Sequence, residues 1–275
     1  MVYNCNVMSS IFLKKYLAVA RIGWLEGLEY RTEFFMSILS WGIRLLISLF
    51  LWFAIVQAKG GPIGTYSFQE ILVYFFLIQI ISSLHFTFIG FEISKDIHRG
   101  DIANFLLKPF HYILFRLSHS LSYQFLRLLI SVIIFAPIII LITGKLAFAP
   151  WKIPIFFISM LGAYLINASF QIIIGLSSFW VVNATRFLFT YFAILTMASG
   201  IIFPLDLFPP QLYTIATYLP FAHIFYFPVK MMQSATFEPL FYQALAIQWI
   251  YVVALLTVVT GFYRLGLRKV ESVGR

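Results

Sequence analysis

The sequence predicts an all-α membrane protein with six transmembrane helices, an amphipathic N-terminal interfacial helix, and a re-entrant helical segment between spans five and six. Three observations carry this. Of 275 residues, 61% are hydrophobic and only 11% charged, with a mean hydropathy of +0.93. A soluble domain is about 45–50% apolar and about 25% charged, so no soluble core could absorb these side chains and lipid must be the solvent. Six apolar stretches approach the roughly 20 residues that a helix needs to cross the hydrocarbon. Lysine and arginine gather in alternate connecting segments, as they do when a chain is threaded with one side in the cytoplasm.

The elements follow in order. Residues 1–36 form the N-terminal unit. In it Lys14, Lys15, Arg21, Glu26, Glu29 and Glu33 share one arc at helical spacing, with Leu13, Tyr16, Leu17, Ala20, Trp24 and Leu28 opposite. Such a helix lies flat at the headgroups. It has no compact apolar core with a small-residue cleavage site, so it does not read as a signal peptide. Residues 37–265 form the transmembrane unit, with spans expected at 37–56, 71–91, 121–142, 154–182, 187–203 and 245–263. Residues 92–119 are the long loop between spans two and three. Residues 204–232 are broken by Pro204, Pro209, Pro210, Pro220 and Pro228. An apolar segment so interrupted cannot cross the bilayer and fits a re-entrant pair of short helices. Residues 266–275 are the tail.

Charge sets the expected orientation. Lys14, Lys15, Arg21 and Arg31 precede span one; Lys95, Arg99, Lys108 and Arg116 lie in the long loop, with Arg127 opening span three; Arg186 follows span four; Arg264, Arg268, Lys269 and Arg275 close the chain. The alternate segments hold only Lys59, then Lys145 and Lys152, then Lys230. Both termini are therefore expected in the cytoplasm. The formal charge of +9 is mostly this bias. It is dispersed over loops with no DNA-binding motif, so no nucleic-acid partner is expected.

Several chemistries are missing. There is no G-x-x-x-x-G-K-[ST] loop, no H-E-x-x-H, no G-x-S-x-G and no Cys/His cluster, so no P-loop, metal or hydrolase site is expected. The single cysteine, Cys5, cannot form an internal disulfide. No acid falls at the middle of a span: Glu70 and Glu92 flank span two and Asp206 lies just past span five. Ion-driven transporters usually carry midplane carboxylates, so the energy should come from elsewhere. Inside the spans three polar residues stand out. Arg44 either snorkels to the headgroups, pairs across a helix interface, or meets an anionic part of a substrate. Asn167 and Gln171, at i and i+4 on span four, belong to a pathway or to packing. Gly162, Ala163, Ala168, Ser169 and Gly175 on span four, and Ala193, Ala198, Ser199 and Gly200 on span five, suit close helix contacts.

The loop "RGDIANFLLKP" reads as a short amphipathic helix stopped by a proline. Ile102, Phe105 and Leu106 form its apolar side and Asp96, Arg99, Asp101 and Lys108 a charged rim, with Gly100 allowing a backbone break and Pro109 ending the helix. It either docks on a partner or lies on lipid.

The stretch "SGIIFPLDLFPPQLYTIATYLPFAHIFYFPVKMM", Ser199 to Met232, resembles the signature of bacterial ABC-2-type exporter permeases. Gly200 and Pro204 match the run that ends the fifth span of that family. Pro209 and Leu219-Pro220 match the element that dips back into the outer leaflet. "IHRGDIANFLLKPFHY", Ile97 to Tyr112, resembles the first cytoplasmic loop of a subgroup with the form I-R-x-G-x-x-x-x-x-L-L-K-P. His223 and Phe227-Pro228 depart from the usual pattern. The resemblance implies a permease without its own ATPase site, in the bacterial cytoplasmic membrane. Its partners would be two copies of a cytoplasmic ABC ATPase, which bind ATP and Mg, and a second permease chain, identical or related. It implies that residues 96–109 hold the ATPase-coupling helix. Gly200, Phe203, Pro204, Leu207, Phe221 and Phe225 are then expected to form an outer gate or a static plug. The aromatic content suggests an apolar or amphipathic cargo such as a drug-like compound, lipid or glycolipid. A small channel or a membrane scaffold without transport is the competing class.

Overall fold

The computed structural model describes residues 5–29, 31–64, 66–143, 151–234 and 239–273; for residues 5–13, 27, 28, 31–35, 37, 38, 143, 239, 240 and 270–273 it describes the backbone alone. Lys145 and Arg275, and the side chains of Cys5, Leu13, Leu28, Arg31 and Glu33 named above, lie outside the described residues. Every regular element among the described residues is helical, and the chain is an all-α membrane protein. Five helices are long and apolar enough to cross a membrane, and a sixth is apolar but shorter.

Helix α1 (Cys5–Glu29) leads into α2 (Arg31–Lys59), which starts six residues before the expected span. Helix α3 (Phe68–His85) opens with a capping box, in which Ser67 accepts from the Glu70 amide while the Glu70 carboxylate accepts from the Ser67 amide. The expected second span does not run unbroken. The helix stops at His85 and restarts as α4 (Ile89–Arg99), with Phe86 to Phe88 between. Gly100, at φ +76°, joins α4 to the short α5 (Asp101–Leu106). Helix α6 (Tyr112–Thr143) begins nine residues earlier than the apolar run suggests. Helix α7 (Lys152–Leu176) ends in a 3-10 turn, Ser177–Phe179.

Helix α8 (Ala184–Ala198) is the short one. Fifteen residues rise about 22 Å, less than the ~30 Å hydrocarbon thickness, and it stops five residues before the expected span end. The chain then passes a 3-10 turn (Leu205–Leu207), α9 (Pro210–Tyr218) and α10 (Tyr226–Gln233) before α11 (Pro239–Val273). The prolines sit at the joints of this run. Pro204 and Pro209 directly precede a 3-10 turn and α9, and Pro210 is the first residue of α9, where a missing N–H costs nothing.

Helix α3 is apolar on all sides and buried from Ile71 to His85 save Leu72, the pattern of a central helix. It packs against α2, α6, α7 and α10, while α7 packs against α4, α8 and α11. Helices α2 and α11 turn apolar side chains outward, among them Ile47, Phe50, Ile250 and Val253. Glycine sets the tightest crossing. A Cβ on Gly175 would come within 2.7 Å of the Gly90 carbonyl, and one on Gly90 within 2.6 Å of the Gln171 carbonyl, so α4 and α7 meet backbone to backbone.

Helix α1 packs on α6 as well as carrying an amphipathic arc. The Tyr16 hydroxyl accepts from the His111 amide at 3.2 Å, Glu26 meets His119 at 2.9 Å, and Gly23 lies against the His119 carbonyl. Leu17, on the apolar side, remains exposed. The segment after α5, the start of α6, the turn after α7 and the end of α11 collect at one end of the bundle. Tyr16 touches Phe110, Tyr112 stacks on Tyr263, and Phe179 lies over Gly266. The opposite end gathers the α2–α3 connection, the start of α7 and the segment from Leu205 to Ser234.

Candidate functional site

Three regions hold the residues that the sequence singles out, and each is built differently. The first is the loop end. Helix α4 is anchored on three sides. Ser178 donates to Ser94 at 2.7 Å, and the His98 ring nitrogens lie 2.7 Å from the Ser94 and Val182 carbonyls. Asp96 is buried, not part of an open rim. It accepts from the Tyr112 hydroxyl and from Arg116, whose Nε lies 3.0 Å away and whose Nη2 forms the ion pair. Arg116 also reaches Glu92 at 3.0 Å. One guanidinium thus ties α4 to α6 across the base of the loop.

Helix α5 sits on this anchored base. Ile102 is buried beneath it, so the contact it makes is inside the chain. Phe105 is half-buried against Tyr112 and Phe115, with the Lys108 ammonium 4.7 Å above its ring. Leu106 and, most of all, Leu107 at 87% exposure face outward, with Arg99, Lys108 and Pro109 also exposed and Asp101 half-buried. The apolar surface that α5 offers is therefore the Leu106–Leu107 corner. Leu107 escaped the sequence reading because helical spacing was carried past Leu106, where the helix stops.

The second region is the interruption between α3 and α4. Breaking a helix in apolar surroundings frees carbonyls that need partners. Asn167 supplies one through Nδ2, donating to the His85 carbonyl, and its Oδ1 accepts from Tyr191 of α8 at 2.6 Å. Gln124 supplies another, donating to the Phe86 carbonyl at 2.8 Å. Asn167 and Gln171 are wholly buried, 3.5 Å apart through Gln171 Nε2 and Asn167 Oδ1. Together Asn167 and Tyr191 stitch α3, α7 and α8. Arg44 is exposed on α2 and rests over the Phe86 ring at 5.3 Å. Sequence reasoning counted Arg127 with the loop charges. The structure buries it at the middle of α6, over the Trp41 ring at 4.3 Å.

The third region is the proline-broken segment. Gly200 has φ +90°, and a Cβ there would meet the Tyr74 hydroxyl at 2.8 Å, so a left-handed turn and a close neighbour both require glycine. Its carbonyl accepts from Tyr74 at 2.6 Å and the Ser199 carbonyl accepts from the Tyr226 amide at 3.0 Å. The end of α8 is thereby closed by side chain and backbone rather than by water. Phe225 is buried against His85, Phe221 stacks on Phe170, and Phe203 is 43% exposed beside Trp52. Of the expected gate residues, Phe203 alone among these three faces well away from the chain.

A polar lock holds this segment. Tyr66 donates to Asp206, at 2.8 and 2.9 Å from its two oxygens, and Lys230 donates to Asp206 at 3.0 Å and to the Tyr66 oxygen at 3.1 Å. Burial, then the adjacent carboxylate, raises the Tyr66 phenol above its ordinary value, which keeps it a donor. Lys152 completes the arrangement by donating to the Met231 and Ser234 carbonyls at the end of α10, where a cation suits the helix dipole. Sequence reasoning used Lys152 and Lys230 only as loop charges, since nothing local pairs them with partners 79 or more and 24 residues away.

The family model described as ABC-2 family transporter protein matches residues 43–274. A comparison with curated proteins gives no match. The match covers the broken second span, the loop with α5 and the proline-broken segment together. The chain therefore belongs to the ABC-2 transporter family, as a multi-pass membrane permease of an ABC transporter.

Proposed function

We propose that the chain is the permease half of an ATP-driven exporter, moving an apolar or amphipathic molecule out of the cytoplasm or the inner leaflet. A cytoplasmic ABC ATPase, in two copies, drives it, and a second permease chain completes the path. The observation that carries this is the Leu106–Leu107 corner. It is an apolar contact exposed on a helix whose base is clamped to α4, α6 and, through α4, α7. Such a helix transmits a push, whereas a helix lying loosely on lipid would not need the clamp. The loop shares its end of the bundle with parts of α1 and the end of α11, which supports both termini in the cytoplasm, in a bacterial inner membrane. Phe203, exposed at the far end, is where a second copy would meet the proline-broken segment, as gate or plug.

The test is Leu107→Asp. An unpaired charge at a small apolar interface costs several kcal/mol. The variant should insert and melt like the parent, because Leu107 supports nothing inside the chain, yet lose co-purification of the ATPase. Retention of the ATPase at parental yield and stimulation would remove the docking role from this corner.

A further inference from the structure

Two arginines beside the Phe86 break, buried Arg127 and exposed Arg44, have no carboxylate partner among the described residues. Arg127 lies midway along the Tyr112–Ile142 span and is 7% exposed. It touches the rings of Trp41 and Tyr123 and, at 3.5 Å, the side-chain oxygen of Gln124, while its Nε has no partner among the described residues. Arg44 rests over Phe86. The ion pairs among the described residues use Glu26, Glu92, Asp96 and Asp206 on other cations. A charge at this depth is costly and calls for a counter-ion.

Arg44 also walls a narrow gap of about 30 Å³ between α2 and α3, with Trp41, Ser48, Phe75, Gln79 and Phe86. Gln79 is 6% exposed, and its Nε2 has no acceptor among the described residues. Arg127 stands one side-chain layer behind, with its guanidinium on Trp41 and Gln124 joining it to the Phe86 carbonyl. The unused groups here, Gln79 Nε2 and Arg127 Nε, are donors, and both charges are positive. That combination suits an anion, and the aromatic walls suit the hydrocarbon beside it. Helix α2 lies on the outside, with Ile43, Leu46, Ile47 and Phe50 exposed, so the gap can widen by movement of one outer helix.

We infer that this gap receives the acid head, phosphate or carboxylate, of an amphipathic cargo. Arg44 makes the outer contact, Gln79 donates a hydrogen bond, and Arg127 supplies the charge behind. Arg127 sits midway along the Tyr112–Ile142 span, roughly 22 Å of helix from either end, so an acid head that reaches its charge lies far from the span ends, where a resident lipid holds its phosphate. The inference rests on the exporter reading and names the class of its substrate.

The permease with its ATPase, in phosphatidylcholine nanodiscs, is tested for equilibrium binding of radiolabelled dodecyl phosphate, with dodecanol as the uncharged competitor. Saturable binding is expected, not displaced by dodecanol. It should weaken roughly tenfold or more in Arg44→Gln, as for loss of a charge-assisted hydrogen bond, and recover in Arg44→Lys. Gln79→Leu should weaken it by a smaller factor. Arg44 is exposed, so its variants are expected to fold, and thermal melts confirm it. Absence of binding, displacement by dodecanol, or unchanged affinity in Arg44→Gln would overturn the anion site. Displacement by phosphatidylglycerol doped into the discs would overturn the cargo assignment in favour of a bound lipid head. Equilibrium binding needs no ATP, so failure of the exporter reading appears separately, as loss of ATPase association.

Discussion

Asn167 shows how one residue decides local architecture. It is fully buried, and it meets the His85 carbonyl with its nitrogen and the Tyr191 hydroxyl with its oxygen. That donor joins the Thr87 amide in satisfying the carbonyl at the helical break after His85. Asn167→Leu keeps the volume and removes both bonds, leaving the Tyr191 hydroxyl without its acceptor and the His85 carbonyl with only the Thr87 amide. The expected cost is about 1–3 kcal/mol, read as a melting temperature lowered by several degrees in detergent. Asn167→Asp is a poor control, because it would place an acceptor against an acceptor. An unchanged melt for Asn167→Leu would mean that the break is held by backbone packing alone.

Among the elements, the pair α4–α5 with the start of α6 behaves as one unit because of Arg116. Its partner Asp96 is slightly more buried than Arg116, with side-chain exposures of 9% and 13%. Removing one member of a buried pair typically costs about 3–5 kcal/mol, whereas replacing both with apolar groups is often neutral. Arg116→Leu alone should therefore destabilise the loop end strongly. Arg116→Leu with Asp96→Leu should recover much of the loss, the remainder reflecting Glu92 and Tyr112. A double variant no better than the single would show that the clamp is not an ion pair in effect. The element scale also explains α8. It is too short to span by itself, and the closed turn at Ser199 and Gly200 takes over where the helix stops.

For the whole molecule the testable property is orientation. The loop, parts of α1 and the end of α11 share one end, and Lys59 and the Tyr66–Asp206–Lys230 lock belong to the other. Single cysteines at Lys59 and Arg268, in a Cys5→Ser background, can be probed with an impermeant maleimide on intact cells. Position 59 should label and position 268 should label only after lysis. The reverse pattern would invert the protein and, with it, the side on which the ATPase could dock. The fold puts a mostly apolar helix, α3, at the centre and leaves α2 and α11 facing outward.

Composition and apolar run length determined by themselves that this chain is an all-α membrane protein, because hydrocarbon leaves a backbone few ways to satisfy its hydrogen bonds. The clustered prolines located the broken segment, since each lacks an N–H and restricts the residue before it. The loop motif marked Gly100 and the short helix after it, because a turn of positive φ followed by an apolar and charged alternation is a local property. What lay beyond the sequence was every pairing between distant residues. Nothing near Asp96 announces Arg116, nothing near Asn167 announces the His85 carbonyl, and Arg127 reads as a charge at the opening of span three until α2 brings Trp41 beneath it. The break in α3 was hidden for the same reason. An apolar run reads as continuous helix, and Asn167 and Gln124, arriving from other helices, join the local Thr87 contacts in making the interruption tolerable.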